Sequence, residues 1–520
     1  MRSTGRTTVP PQATPPPLAA GPSGQVGALP TDLVVLIVAV AAGVVAQGGY
    51  YRPGRLLLTA LVCAAPIVAL ARAALGRAGH APGPARTGSY GVVAPPSADR
   101  RWPTPVRLLA PACAALAGWA LTRAAVTGEY PVALGYLATL GTVAVAVPLV
   151  VRAGPAARER LAEALIAIGA GVAVTSWVGV AWRLPRFAVP VEHRLWRGGS
   201  TLTYPNAAAA LLAMLALLGL ALLVGRPRSV PLGAAGYLMV VGVGAALSRA
   251  GLLALLAGYL VLVLAAGVRR TLARTSPALL GAAVAVAALA PSFPVGWPPR
   301  PTLAVAGLLA GAAVALGVPR LPARIRPAAL AGSLSLVAAA VVGRLGSGPV
   351  AAVLASRGTA ASSGRSGAAG AALDLVARYP LAGTGPGLAR FFWHSPDGRG
   401  AVALYAHDEY LQLLVDLGAI GAALLLVLIA TIWSTARRAP AGRHRPLWAG
   451  AVAALVALAV HSGFDFLWHI AVLPLVGGLL VGIAGPARNG PPPVAGVPAP
   501  RARAGFSEEP SVPDPVKEFR

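Results

Sequence analysis

Long apolar runs are the feature of this 520-residue sequence that most restricts its fold. A helix of about 20 apolar residues crosses the roughly 30 Å of hydrocarbon in a bilayer and satisfies its own backbone hydrogen bonds. Fourteen runs of roughly that length lie at about 32–50, 56–75, 106–126, 131–151, 161–182, 204–224, 230–247, 250–268, 276–294, 302–319, 327–343, 409–434, 447–466 and 468–485. The pattern predicts an all-α polytopic membrane protein with roughly 12–14 transmembrane helices.

The segments outside these runs divide the chain into five parts. Residues 1–30 and 487–520 are polar and rich in proline, a composition typical of disordered tails. The first apolar run begins too late for a cleavable signal peptide, so none is expected. Transmembrane helices are predicted within 31–343 and 409–486. Residues 344–408 form the longest connection between them, and connections of that length are typically functional or disordered.

Arginine dominates the charge and predicts the topology. Lys and Arg total 43 against 16 Asp and Glu, and the formal net charge is +27. With the N-terminus in the cytoplasm, 28 of the 43 lie on the cytoplasmic side, as the positive-inside rule requires. We therefore expect a cytoplasmic-membrane protein with both termini cytoplasmic and one long extracytoplasmic loop. The positive-inside distribution explains most of the positive charge. Membrane lipid is therefore expected as a partner, and nucleic acid is not.

The other 15 basic residues are clustered on the outer side. Arg194 and Arg197 belong to a group of four in one connection, Arg249 begins an apolar run, and six arginines occupy residues 344–408. Arginines held near the hydrocarbon on the disfavoured side typically mark anion binding. Snorkelling to head groups is the alternative for Arg249. Without further information, Arg365 is interpreted as a solvated loop charge.

A polar stretch at residues 378–418 combines a glycine-rich turn, a loop and a histidine with two acids before an apolar run. His407 can act near neutral pH as a base or as a hydrogen-bond donor to phosphate. Asp408 and Glu409 follow at the predicted start of a helix. A carboxylate there can cap the backbone N–H groups, and we expect at least one of the two to do so.

Asp465 is the remaining acidic candidate, between His461 and His469 near the outer end of an apolar run. It can join a proton relay, but pairing with an outer arginine is the favoured interpretation. Outer carboxylates are few, and the two cysteines lie apart within apolar runs. The sequence contains no Walker A or HExxH motif. We expect neither a metal nor another cofactor.

Four segments of the chain occur in a distinctive order. RGGSTLTYPNAAAALLAM contains Asn206, and SRAGLLALLAG contains Arg249. SGRSGAAGAALDLVARYPLAGTGPGLARF contains Arg365 and a P-x-x-G-x-G pattern, and AHDEYLQLLVDLGAIG contains His407. In order and spacing, over roughly residues 190–435, these segments resemble the O-antigen ligase and polymerase family of membrane glycosyltransferases.

The resemblance implies an activity and its partners. A glycan would pass from an undecaprenyl-diphosphate-linked oligosaccharide to the hydroxyl of another glycan or surface acceptor, in polysaccharide biosynthesis at the outer face of the membrane. Arg249 and Arg365 would bind the donor diphosphate, and His407 would take part in the transfer. The sequence departs from the family pattern at Asp408, where Asn or Ser is commoner, and at 366–368, which lack the usual aromatic residue.

The outer arginines and polar residues complete the predicted site. Arg194 and Arg197 are expected to join the other arginines in binding the diphosphate through charge-assisted hydrogen bonds. Asn206, Asp408 and Asp465 are secondary candidates. Ligase and polymerase activities differ in the acceptor, and both stay open.

A multi-pass transporter or flippase of lipid-linked glycan is the competing interpretation. Transporters place polar residues near the bilayer midplane and often contain broken helices in paired repeats. The polar candidates of this sequence gather instead at one face, and no convincing internal repeat is visible. That distribution favours transfer at the membrane surface.

Overall fold

The structure is a computed structural model that describes residues 29–78, 103–191, 194–342, 348, 351–353, 364–394 and 398–486. The predicted C-terminal tail, nearly all of the N-terminal tail and part of the 344–408 connection lie outside these residues. The helices of the described parts are α1 (Thr31–Val45), α2 (Arg52–Ala78), α3 (Thr104–Thr127), α4 (Tyr130–Arg152), α5 (Pro155–Ala181), α6 (Pro205–Gly225), α7 (Val230–Ala246), α8 (Arg249–Ala266), α9 (Val268–Leu289), α10 (Pro301–Gly317), α11 (Arg326–Val342), α12 (Arg365–Arg378), α13 (Glu409–Ala436), α14 (Arg445–Ser462) and α15 (Val472–Ala484).

The predicted fold class is confirmed: the chain is an all-α polytopic membrane protein. Each of the fourteen predicted apolar runs contains a helix. Within the described residues, ten helices are long and apolar enough to cross a membrane. Helices α1, α7 and α15 are apolar but shorter, with 15, 17 and 13 residues.

Successive spans run in opposite directions, so alternate connections meet at one end of the helix bundle. Contacts between distant connections hold this end together. The Trp196 N–H donates to the Phe293 carbonyl at 2.7 Å, and the Thr201 hydroxyl donates to the Val44 carbonyl at 2.8 Å. The described parts of this end are the connections at 46–51, 128–129, 182–191, 194–204, 247–248, 290–300, 379–394, 398–408 and 463–471. We call it the polar end.

Helix α6 forms the centre of the bundle. All of its residues from Pro205 to Val224 are buried, and α7, α8 and α14 pack around it. Small residues bring these helices close, since a Cβ at Gly450 of α14 would lie 2.5 Å from the Ala221 Cβ. At the opposite end of the bundle, Arg158 Nη1 donates to the Gly485 carbonyl at 2.6 Å and joins the start of α5 to the end of α15.

Two short antiparallel hairpins lie at the polar end. Strand β1 (Ala188–Val191) pairs with β2 (Leu195–Gly198), and β3 (Phe391–His394) pairs with β4 (Gly400–Ala403). Helix α12 packs against β3, and a Cβ at Gly367 would overlap the Trp393 ring. The predicted loop at 344–408 therefore contains folded elements, because small residues of α12 admit a large aromatic side chain.

Helix α13 is kinked at Gly418, where φ is 66° and ψ is −166°. Residues 380–385 bond to the backbone groups opened by this kink. Thr384 N–H donates to the Val415 carbonyl at 2.8 Å, and Gly385 N–H donates to the Asp416 carbonyl at 3.0 Å. Because a Cβ at Gly383 would lie 2.5 Å from the Asp416 carbonyl carbon, the glycine-rich turn serves close packing on a helix.

Candidate active site

Asp465 lies at the centre of the polar end, in the connection between α14 and α15. Its side chain is 0% exposed. The Tyr204 hydroxyl donates to Oδ2 at 2.6 Å, the Asn206 amide also donates to Oδ2, and the Phe466 N–H donates to Oδ1 at 2.9 Å. A buried carboxylate needs such partners, since leaving a buried charge without hydrogen bonds is costly.

Two predicted site residues complete the surroundings of Asp465. His407 Nδ1 lies 3.2 Å from Oδ1, and Arg365 Nη2 lies 3.5 Å from Oδ2. The three residues come from the start of α13, the start of α12 and the 463–471 connection. The structure thus brings Arg365 to the site, although its sequence surroundings alone suggested a solvated charge.

These contacts keep Asp465 ionised. Burial raises the pKa of the carboxyl, but hydrogen bonds from His407 and Tyr204 and the charge of Arg365 outweigh it, so the pKa lies below its ordinary value. Burial and the neighbouring Asp465 charge raise the pKa of Tyr204 well above its ordinary value. Tyr204 therefore stays a hydroxyl donor at physiological pH.

The backbone before α13 sets the position of His407. Asp408 caps this helix, since its Oδ1 accepts from the N–H groups of Tyr410 and Leu411 at 2.9 and 3.1 Å. The expectation that at least one of Asp408 and Glu409 caps the helix is confirmed. His407 has a φ of 54°, a left-handed conformation that is uncommon outside glycine, and its side chain is 29% exposed.

The same contact gives the two ring nitrogens of His407 different roles. With Nδ1–H directed at Asp465, Nε2 is the ring nitrogen that can accept a proton. Within the described part of the chain, Nε2 has no hydrogen-bond partner. The arrangement of a carboxylate behind a half-exposed imidazole suits a general base.

Asn206, the second residue of α6, links Asp465 to two other elements. Its Oδ1 accepts from Arg197 Nη2 at 2.7 Å and from the Ser248 hydroxyl at 2.9 Å. Arg197 is buried and also donates to the Ala246 carbonyl at 2.9 Å. Arg197 and Asn206 thus fix the position of Asp465 from within the protein.

The two remaining arginine candidates lie at different places on the polar end. Arg249 follows Ser248 directly, begins α8 and is exposed, so its backbone adjoins the Asn206 network. Arg194 is exposed in the β1–β2 hairpin, and three strand residues place it roughly 10 Å from Arg197 along the chain. The structure therefore places Arg249 beside the site, and Arg194 lies in the hairpin that carries Arg197.

An aromatic wall, which the sequence analysis did not single out, covers one side of the site. The Phe466 ring stacks on Tyr405 at 4.5 Å and on Tyr204 at 5.2 Å, and its centroid lies 5.3 Å from that of His407. Each of these rings adjoins a candidate in sequence, because Tyr204 and Tyr405 precede Asn206 and His407 by two residues. That spacing is the signal that could have identified them.

A second histidine–carboxylate pair lies beyond the aromatic wall. Glu409 is 1% exposed, and its Oε1 lies 3.3 Å from His469 Nδ1. The same oxygen accepts a hydrogen bond from the Trp468 N–H. Burial lowers the pKa of His469, but the charge of Glu409 and its hydrogen bond outweigh this, so the pKa lies above its ordinary value. This pair joins the start of α13 to the connection that carries Asp465.

The described residues contain no group of three or more His, Cys, Asp or Glu side chains arranged to hold a metal ion. No protein-family model matches this chain, and no curated protein is significantly similar to it.

Proposed function

We propose that the chain transfers a glycan from an undecaprenyl-diphosphate-linked donor to the hydroxyl of an acceptor at the outer face of the cytoplasmic membrane. The observation that carries the proposal is the convergence of His407, Asp465 and Arg365 at one end of a membrane helix bundle. A base and an arginine beside a membrane surface match the two ends of this reaction, an acceptor hydroxyl and a lipid-linked diphosphate.

The arginines stabilise the leaving group. As the bond between the anomeric carbon and the diphosphate oxygen breaks, its electron pair stays on the diphosphate. Arg365 and Arg249 supply fixed positive charge there, and a guanidinium can bind phosphate oxygens through two parallel hydrogen bonds. The Arg365 side chain is 35% exposed, so it can contact substrate while its Nη2 stays beside Asp465.

His407 takes the proton of the acceptor. Nε2 removes it while the acceptor oxygen bonds to the anomeric carbon, and the ionised Asp465 stabilises the resulting imidazolium through Nδ1. Asn206, Arg197 and Tyr204 are positioning residues, because they contact Asp465 or each other and hold the carboxylate behind the imidazole.

The topology that supports this reaction places the polar end outside the cytoplasm. The opposite end of the bundle, together with the tails, carries 28 of the 43 Lys and Arg residues. The positive-inside rule assigns such an end to the cytoplasm. Both termini then lie in the cytoplasm, and the site faces the leaflet where exported lipid-linked glycans are used.

The test is transfer by the purified full-length protein in lipid nanodiscs. Its substrates are lipid-linked oligosaccharide extracted from the membranes of its own source and, as acceptor, either a second lipid-linked unit or surface glycan. His407→Ala is expected to lower the transfer rate by about 10²–10⁴-fold, the usual contribution of a general base. Arg365→Ala and Arg249→Ala are expected to lower it as well.

Matched controls are available at the same end of the bundle. His394 and Arg390 are exposed on or beside strand β3, so His394→Ala and Arg390→Ala should leave the rate unchanged. Equal rates in wild type and His407→Ala would refute the assignment of the base. In sealed proteoliposomes, movement of lipid-linked glycan across the membrane by wild type, without release of free lipid diphosphate, would support a flippase instead.

A further inference from the structure

We propose that a cleft beside the candidate active site binds the glycan. It would hold sugars that lie a few units along the glycan from the bond that reacts. This inference rests on the proposed function and specifies how the substrate is held. The cleft has a volume of about 400 Å³ and lies between the end of α1, the start of α2 and the segment after β2. Volumes of roughly 300–1,000 Å³ are typical of small-ligand sites.

The side chains of the cleft suit a carbohydrate. Gln47, Thr201 and Thr203 line it, Tyr51 adds an exposed aromatic ring, and Arg186 adds a guanidinium. The two threonine hydroxyls donate to backbone carbonyls and can still accept hydrogen bonds. A sugar presents hydroxyl groups that pair with amides and hydroxyls, and an apolar C–H face that packs on an aromatic ring. The lining contains no acidic residue, so it also admits an acidic sugar.

A continuous set of rings connects the cleft to His407. Tyr51 contacts Tyr50 edge to face at 5.2 Å, Tyr50 lies 6.5 Å from Phe466, and Phe466 lies 5.3 Å from His407. Each step is comparable with the length of one hexose residue. A glycan whose reacting end lies at His407 would therefore reach the cleft with its second to fourth sugar.

The backbone of the cleft is held in a conformation that requires support. Gln47 has a φ of 55° and Thr203 a φ of 58°, and both are among the six non-glycine residues with positive φ in the described chain, as is His407. Residues held in such conformations cluster at ligand sites. Arg55 Nη2 donates to the Tyr50 carbonyl at 2.9 Å and holds the 46–51 turn in place, so the cleft is formed before substrate binds.

The test compares two donors with the same lipid diphosphate, one carrying a single sugar and one carrying the full oligosaccharide. Tyr51→Ala and Gln47→Ala are expected to raise KM for the full donor about 10-fold with little change in kcat, and to leave the single-sugar donor unaffected. Tyr130→Ala is the matched control, because Tyr130 is an exposed tyrosine at the same end, at the start of α4.

A binding measurement separates failure of this inference from failure of the proposed function. Saturation-transfer NMR would detect free oligosaccharide, released from the same donors, on full-length protein in nanodiscs. Binding by wild type that is lost in Tyr51→Ala supports the cleft even if no transfer is observed. Absence of binding by wild type, binding unchanged in Tyr51→Ala, or an equal rise in KM for both donors would overturn the inference.

Discussion

Asp465 illustrates how a mostly apolar protein keeps one carboxylate ionised. Its donors come from α6, the segment before α13 and the start of α12, which are far apart in the sequence. The sequence alone identified Asp465 and His407 as candidates and favoured an arginine as the partner of Asp465. This was possible because carboxylate, imidazole and guanidinium groups each take part in only a few kinds of interaction. It could not indicate Asn206 as the link to Arg197, because that link depends on how α6 and β2 meet.

The pair formed by His469 and Glu409 predicts a pH dependence of stability. The pKa of His469 is raised by the charges of Glu409 and Asp416, against burial and the charge of Arg55. Its contribution is therefore complete below the unfolded pKa of about 6.5 and is lost as pH rises through the higher pKa of the folded state. The thermal unfolding temperature, measured in detergent from about pH 6 to pH 9, should fall with rising pH.

His469→Gln tests the origin of this fall, because glutamine can donate a hydrogen bond but does not titrate. The variant should show a shallower pH dependence than wild type. His394→Gln, at an exposed histidine of β3, should retain the full slope. A slope in His469→Gln as steep as in wild type would assign the pH dependence to another group.

At the scale of elements, the long apolar runs predicted the membrane helices well. They gave little information on the structure of the polar connections. A run of about 20 apolar residues has one stable form in a bilayer, so each of the fourteen runs contains a helix, although α9 begins eight residues before its predicted run. Helix α12 and the β3–β4 hairpin were not predicted. Their stability depends on contacts such as Trp393 against Gly367, which no local pattern shows.

The kink in α13 predicts a large effect for one glycine. In Gly418→Ala, the alanine would have to adopt a positive φ, and its Cβ would overlap the Leu381 carbonyl group. This group belongs to the backbone and cannot rotate away. Gly128→Ala is the matched control, since Gly128 has a φ of 81° and open space around it. The control should cost about 1–2 kcal/mol for its conformation alone.

Gly418→Ala should lower the unfolding temperature more than Gly128→Ala and should also lower the transfer rate, because the kink holds residues 380–385 against the helix that begins after His407. The measurement is thermal unfolding of both variants in the same detergent, with the transfer rate as second readout. Equal destabilisation of the two variants would show that the kink adapts to a side chain.

At the scale of the whole molecule, the alternating direction of the spans predicts which face each residue occupies. In a background without Cys63 and Cys113, a single cysteine can be placed at either end of the bundle. On intact cells, a membrane-impermeant maleimide should label Arg390→Cys at the polar end. It should label Arg438→Cys, at the opposite end, only after the membrane is permeabilised. The reverse pattern would contradict the proposed topology.

The lengths of α5 and α15 determine how far the candidate site lies below the tip of the helix bundle. Arg158 aligns these helices at the end opposite to Asp465, yet α5 has 27 residues and α15 has 13. At 1.5 Å per residue they extend about 40 and 20 Å, and α14, which ends three residues before Asp465, has 18 residues and extends about 27 Å. The connection that carries Asp465 therefore lies roughly 13–20 Å below the tip of α5. The floor of the polar end therefore lies well below the tips of the longest helices. In the proposed reaction, a lipid-borne diphosphate would then meet its partners close to its own leaflet, and the acceptor would be the molecule that has to descend.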